Sequence, residues 1–340
     1  MRKTFVALIA VIVIVMIGAA AGAYLLEPRQ PQVYTLFPPR TNETYELSTA
    51  QGGFNIPSTS PEHFVTISNQ SYYAMAEVKG DGLSLMMSPF MWNLAGANGS
   101  VNMIFRDDRL QVSMNLSEVT DISDIKVTGY PGLMYGKELW FPFGTATEQL
   151  KALALPSIVS DLPNFYSVLN YSTYVYAGSI GDFSYDMWLT SNPNITSLGS
   201  KDIEVMIWMY SQSPWLSQPF VNVGTVSAPT IINGTTVIAQ YQVYVLPHTG
   251  SATGWAGVYF VLEYPSAGGV ARGEVGVPVK DLLEDISSLL PKVGLSFYNP
   301  STYYLNAIQV GMETYYSATN SLVAGYTLYS WNVVIGRVAR

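Results

Sequence analysis

The chain has 340 residues, 49% of them hydrophobic, which is enough for one large packed domain and excludes a disordered polymer. Only 12% are charged and the net charge is −8, with no basic run beyond Arg2-Lys3, so a nucleic-acid-binding surface is excluded. Cysteine is absent, which removes thiol catalysis and any disulfide framework.

In chain order, Met1-Arg2-Lys3 is followed by Thr4 to Leu26 without a charge, a stretch long enough to cross a bilayer. The small-residue run Gly18-Ala19-Ala20-Ala21-Gly22-Ala23 is equally a signal-peptidase site, so residues 1–26 read as a signal peptide or a transmembrane anchor. Either places the body outside the membrane, secreted or held on its outer face. Asn-X-Ser/Thr sequons at Asn42, Asn69, Asn98, Asn115, Asn170, Asn194 and Asn233 are compatible with glycosylation there. Residues 27–60, rich in Pro, Thr, Gln and Ser, read as a stalk.

From 61 to 340 short runs of Val, Ile, Tyr, Trp and Thr alternate in polarity between Gly, Asn, Pro and Asp punctuation, as in Val101–Phe105, Thr173–Tyr176, Thr236–Val245 and Gly257–Glu263. This predicts an all-β sandwich of two antiparallel sheets. One segment differs: Val279, Leu282, Leu283, Ile286, Leu289 and Leu290 recur at helical spacing between Pro278 and Pro291, predicting a single amphipathic helix. No internal repeat appears, so residues 61–340 read as one domain.

His63 and His248 are the only histidines, and neither lies in a recognisable motif, which argues against a Ser-His-Asp site and against a histidine-rich metal centre. For a histidine-poor exported β protein, a carboxylate pair flanking a glycosidic bond is the remaining common chemistry. Most carboxylates, such as Asp107-Asp108, Asp121 and Asp124, sit among turn residues. Glu204 does not. Alternation in Ile203 to Met209 puts Ile203, Val205, Ile207 and Met209 on one face and Glu204, Met206 and Trp208 on the other. An unpaired buried charge would be costly, so the second face should open onto a cleft. Glu313 repeats the pattern, with Gln309 and Gly311 on its face, and Gly311 would let a ligand approach the sheet. Asp186 shares a third such strand face with Ser184 and Trp188.

At these residues the sequence resembles the family 12 glycoside hydrolases, the jelly-roll endoglucanases and xyloglucanases. Ile203-Glu204-Val205-Met206-Ile207-Trp208 is similar to that family's nucleophile strand and Gln309-Val310-Gly311-Met312-Glu313 to its acid/base strand, with Thr314-Tyr315 departing from the usual sequel. Tyr185-Asp186 resembles the strand whose aspartate neighbours the nucleophile, Lys126 to Pro131 a further family segment, and Met91-Trp92-Asn93 the segment whose indole stacks on glucose. The likeness covers roughly residues 80 to 335. It implies a retaining endo-β-1,4-glucanase with Glu204 as nucleophile, Glu313 as acid/base and Asp186 hydrogen-bonded to Glu204 in support. Trp92, Asn93, Met206, Trp208, Trp188, Tyr135 and Trp140 are the implied substrate-binding residues. Neither cofactor nor metal is implied, the partner is a β-glucan, and the protein is expected to be a monomer. Added loops are expected near Ser213 to Pro229 and Pro247 to Trp255. A xyloglucanase or mixed-linkage glucanase with the same chemistry, or a non-catalytic glycan-binding protein on the same scaffold, are the alternatives. The low charge density further suggests work in an acidic medium.

Overall fold

A computed structural model of the chain describes residues 31–37, 45–50, 53–55, 64–66, 74–80, 82–139, 145–249 and 254–336. The apolar segment 1–26, His63 and Trp140 therefore lie outside the described residues. Among the described residues there are nineteen strands and one α-helix. The first nine strands are β1 (Gln32–Thr35), β2 (Tyr45–Ala50), β3 (Gly53–Asn55), β4 (Phe64–Thr66), β5 (Ala74–Gly80), β6 (Leu83–Ser88), β7 (Leu94–Arg106), β8 (Arg109–Asp121) and β9 (Gly132–Gly136). They are followed by β10 (Ser157–Ile158), β11 (Phe165–Ala177), β12 (Ser179–Thr190), β13 (Ile203–Tyr210), β14 (Val221–Ile232), β15 (Thr235–Leu246), β16 (Ala256–Leu262) and β17 (Arg272–Pro278). The helix α1 (Val279–Leu289) then precedes β18 (Tyr304–Tyr315) and β19 (Leu322–Ile335). No helix among the described residues is long and apolar enough to cross a membrane.

The strands form two layers. In one, neighbours run β4-β5-β6-β9-β18-β12-β13-β16-β15-β14. In the other they run β3-β2-β7-β8-β19-β11-β17, and β17 joins the first layer through Ile231 and Ile232 of β14. Among the described residues every strand pairing is antiparallel except β13 with β16. This is a jelly-roll sandwich.

Local chemistry sets the corners. Asn233-Gly234, with φ of 48° and 77°, turns the β14–β15 hairpin through the left-handed conformations that such two-residue loops need. Gly178, with φ of 85°, passes the chain from β11 in one layer to β12 in the other, where a Cβ would stand 2.3 Å from the carbonyl oxygen of Tyr315.

The core lies between the layers and takes one side of each strand: Ile203, Val205, Ile207 and Met209 from β13, Phe183, Tyr185 and Met187 from β12, Ile308, Val310 and Met312 from β18. The apolar face of α1, from Val279 through Leu282, Leu283, Ile286 and Leu289, closes it. Lys280 pins the helix by donating from Nζ to the carbonyls of Ser160 and Leu162, at 3.0 and 2.8 Å.

Two expectations are corrected. Residues 32–35 and 45–55 contain strands of the sandwich: β1 pairs with β19, and β2 with β7. Leu36, Phe37 and Leu47 are core residues, and Phe37 meets Phe105 edge-on at 5.1 Å. Short apolar runs there are masked by the surrounding Pro and Thr. Likewise Val221–Ile232, which takes up the second half of the expected loop from Ser213 to Pro229 and runs past it, is a strand paired along its length with β15.

Candidate active site

The outer face of the β4-to-β14 layer carries a second apolar cluster that includes Met75, Met86, Tyr130, Met134, Met206, Trp208, Tyr244 and Tyr259, with Trp92 and Phe220 packed against it. It forms the floor on which a row of carboxyls stands. Strand alternation aligns Asp182, Ser184, Asp186 and Trp188 on β12, flanked by Glu204, Met206 and Trp208 on β13 and by Gln309 and Glu313 on β18. Glu204 lies opposite Trp188, Asp186 between Met206 and Gln309, and Asp182 opposite Glu313.

Glu204 is half-buried and held by two donors. Tyr259 Oη donates to its Oε2 at 2.8 Å and Trp255 Nε1 to the same oxygen at 3.4 Å. Tyr259 reaches it from β16, the parallel neighbour of β13, by leaning over Gly257, where a Cβ would stand 2.5 Å from the tyrosine oxygen. Burial raises the Glu204 pKa, and the Tyr259 and Trp255 bonds oppose that rise.

Glu313 is surrounded differently. Asp182, fully buried, stands opposite it across β12 and β18, and Ser184 Oγ fixes the aspartate by donating to Oδ1 at 2.6 Å. Two facing carboxyls bond only if they hold a proton between them. Burial, then the charge and bond of Asp182, then the charges of Glu204 and Asp186, push Glu313 well above the usual carboxylate range. Asp182 itself is raised to about 7, chiefly by burial.

Asp186 is raised well above its ordinary value, by burial first and then by the charges of Glu204, Glu138 and Asp182. Its Oδ1 has no hydrogen-bond partner, so the bond expected between Asp186 and Glu204 is replaced by the Tyr259 and Trp255 donors. Glu138, also buried, accepts from Gln309 Nε2 at 2.6 Å and is pushed up to about 8 by burial. Among the described residues no ion pair reaches any of these five carboxyls, and no His, Asp and Glu cluster has the form of a metal site.

The anticipated substrate residues divide. Met206, Trp208, Trp188 and Trp92 belong to the carboxyl face; Trp188 meets Trp255 edge-on at 5.2 Å, and Trp208 meets Tyr259 at 6.3 Å. Tyr135 does not: it pairs opposite core residue Ile308, is fully buried, and spends its hydroxyl on the Leu153 carbonyl at 2.6 Å and the Leu150 amide at 2.9 Å. Asn93 is buried too, its amide donating to the carbonyls of Ile125 and Val127 while Oδ1 accepts from Ser123. That network ties the start of β7 to the 123–127 segment. The space above Gly311 is filled by the Tyr130 ring, 2.7 Å from where a Cβ would stand, and is not open to a ligand.

Asp182, Glu138, Tyr259 and Trp255 escaped the sequence reading. Only Asp182 had a signal, since it lies four residues before Asp186 and so on the same strand face.

One carboxylate held by donors and one carboxyl held protonated, on strands two apart on one face, can deliver a nucleophile and a proton to the same bond. A two-layer β-sandwich with such a pair is the architecture of a glycoside hydrolase. The profile of glycosyl hydrolase family 12 matches residues 84–335, and the chain belongs to that family. Among solved structures, the native family 12 xyloglucanase from Bacillus licheniformis is 15% identical, with a TM-score of 0.53 over 76% of this chain and 96% of that one. The ligand complex of the Bacillus licheniformis family 12 xyloglucanase is 14% identical, with a TM-score of 0.52 over 76% and 96%. Endoglucanase 3 from Trichoderma harzianum is 18% identical, with a TM-score of 0.48 over 82% and 100%. No curated protein sequence matches the chain.

Proposed function

We propose that the protein is an endo-acting, retaining hydrolase of β-1,4-glucosidic bonds in cellulose-like glucans, working outside the membrane. The observation that carries this reading is the opposite treatment of two carboxyls on one face: Glu204 receives two hydrogen-bond donors, while Glu313 is paired with another carboxyl. In the first step Glu204 attacks the anomeric carbon as the glycosidic C–O bond breaks, and the leaving oxygen takes the proton of Glu313. In the second, Glu313 removes a proton from water, whose oxygen attacks the same carbon and frees Glu204. Trp92, Trp208 and Trp188 supply faces for glucose rings. Asp186, kept protonated by burial and then by its neighbours' charges, limits the negative charge beside Glu204.

Reducing-sugar release from carboxymethylcellulose, xyloglucan and barley mixed-linkage glucan, run side by side, tests the reading. Carboxymethylcellulose or barley glucan should be hydrolysed fastest, and Glu204→Gln and Glu313→Gln should each cost about 10³-fold or more with the fold intact. Preference for xyloglucan would change the substrate and leave the chemistry. Binding without any turnover would make the protein a glycan-binding module.

A further inference from the structure

The opposite side of the molecule carries an aromatic strip that the catalytic groove does not use. On the outer face of the second layer, β11 presents Ser172, Tyr174 and Tyr176, and its neighbour β19 presents Gly325, Thr327 and Tyr329. Tyr176 is 83% exposed and Tyr329 46%, so both rings stay in water where burial was available to other aromatics. Tyr174 and Tyr176 form a ring pair with centroids 5.5 Å apart and planes tilted by 39°.

The strip is built into the strands. Tyr174 pairs with Gly325, and a Cβ there would stand 2.6 Å from the Tyr174 oxygen and 2.9 Å from its Cζ, so the missing side chain is what lets the tip of the ring lie over β19. At the other end Tyr329 Oη and Ser172 Oγ share a hydrogen bond of 3.1 Å across the two strands. The tyrosines thus span about six residues of strand, roughly 20 Å. Across β19, the β8 residues beside the strip are Gln111, Ser113 and Asn115, all uncharged, while Arg272 stands on the β17 side of Ser172.

We propose that Tyr174, Tyr176 and Tyr329 form a second, non-catalytic binding surface for a neutral β-glucan chain. Aromatic faces offer apolar contact to the C–H faces of glucose rings, and hydroxyl and amide groups alongside match their hydroxyls. A protein partner would need a broader apolar patch than three rings in a polar field. A site remote from the groove retains the polymer between cleavage events and raises its local concentration, as linked binding sites do. The inference rests on the β-glucan reading of the groove for the identity of the polymer.

The test uses the full chain carrying Glu204→Gln, so that polymer survives, and compares it with the same chain carrying Tyr174→Ala and Tyr176→Ala. Adsorption to insoluble cellulose and retardation in gels containing barley glucan are measured, together with turnover of a short chromogenic cello-oligosaccharide by the corresponding active chains. The double substitution should weaken polymer binding by about tenfold while short-substrate kcat/KM is unchanged. Tyr176→Ala alone, at an exposed position, should give part of that loss and guards against misfolding. Unchanged polymer binding overturns the proposal. So does a loss matched by a change in sedimentation coefficient, which would make the strip a contact between copies of the chain. Failure of the catalytic reading would show instead as no turnover by the chain with Glu204 intact.

Discussion

Asp182, fully buried, and Glu313, half-buried, face each other across β12 and β18, and a proton on one of them is what relieves the repulsion between the two carboxyls. The groups facing Asp182 are Glu313 and Tyr315 of β18, Glu204 of β13, Asp186 of its own strand and Tyr130, with no cation among them. Asp182 is raised to about 7, and its ionised form strengthens the hold of Glu313 on its proton, which opposes transfer to a leaving group. The alkaline limb of kcat/KM should therefore follow Asp182. Asp182→Asn removes that ionisation while burial, the largest cause, still keeps Glu313 protonated, so the alkaline limb is expected to move to higher pH. A limb that stays or moves down would mean Glu313 titrates alone.

The nucleophile has a separate control. Tyr259 donates to Glu204 and favours its charged form, so Tyr259→Phe should raise the Glu204 pKa and shift the acid limb to higher pH. The acid limb of kcat/KM is the readout, and an unmoved limb would remove Tyr259 from the machinery.

Glu138 gives the protein a stability that depends on pH in the unusual direction. Its folded pKa is about 8 and an unfolded glutamate titrates near ~4.3, so between those values the folded chain holds a proton that the unfolded chain has lost. Stability contributed this way is full below about pH 4 and declines as pH rises towards 8. Asp182 acts in the same sense up to about 7. Melting temperature should therefore fall from pH 4 to pH 8, and Glu138→Gln should flatten the slope. A wild-type melting temperature that climbs over this range would contradict the account, which bears on the acidic medium suggested by the low charge density.

How far the sequence disclosed this site depends on what each residue needed. Glu204, Glu313 and Asp186 were legible because strand alternation and motif act within a few residues. Tyr259 was not, because its role depends on β16 lying parallel beside β13, a pairing that no local pattern encodes. Tyr135 was placed on the wrong side because the face of β9 is decided by its register with β18, which sets Met134 opposite Gln309 and Tyr135 opposite Ile308. Strands β1 to β3 went unread because each has few residues and gains its stability from partners far along the chain.

On the groove floor, Trp92 is half-buried, while Trp208 is nearly enclosed with its Nε1 unpartnered. Trp92→Ala should weaken cello-oligosaccharide binding by about 1 kcal/mol or more with little loss of stability, whereas Trp208→Ala should lower both binding and melting temperature by leaving a cavity. Calorimetric titration on the Glu204→Gln background, with a thermal melt of each variant, separates the two roles. Equal stability losses would mean that both tryptophans are packing residues.

The assignment of roles is tested most directly by trapping the covalent intermediate. A 2-deoxy-2-fluoro cello-oligosaccharide with an activated leaving group forms the glycosyl-enzyme faster than water can clear it, and mass spectrometry of the digested protein then locates the ester. The account predicts one added sugar moiety, on the peptide containing Glu204 and absent from the Glu204→Gln protein. Labelling of the Glu313 peptide, or hydrolysis of the reagent with inversion at the anomeric carbon, would contradict it.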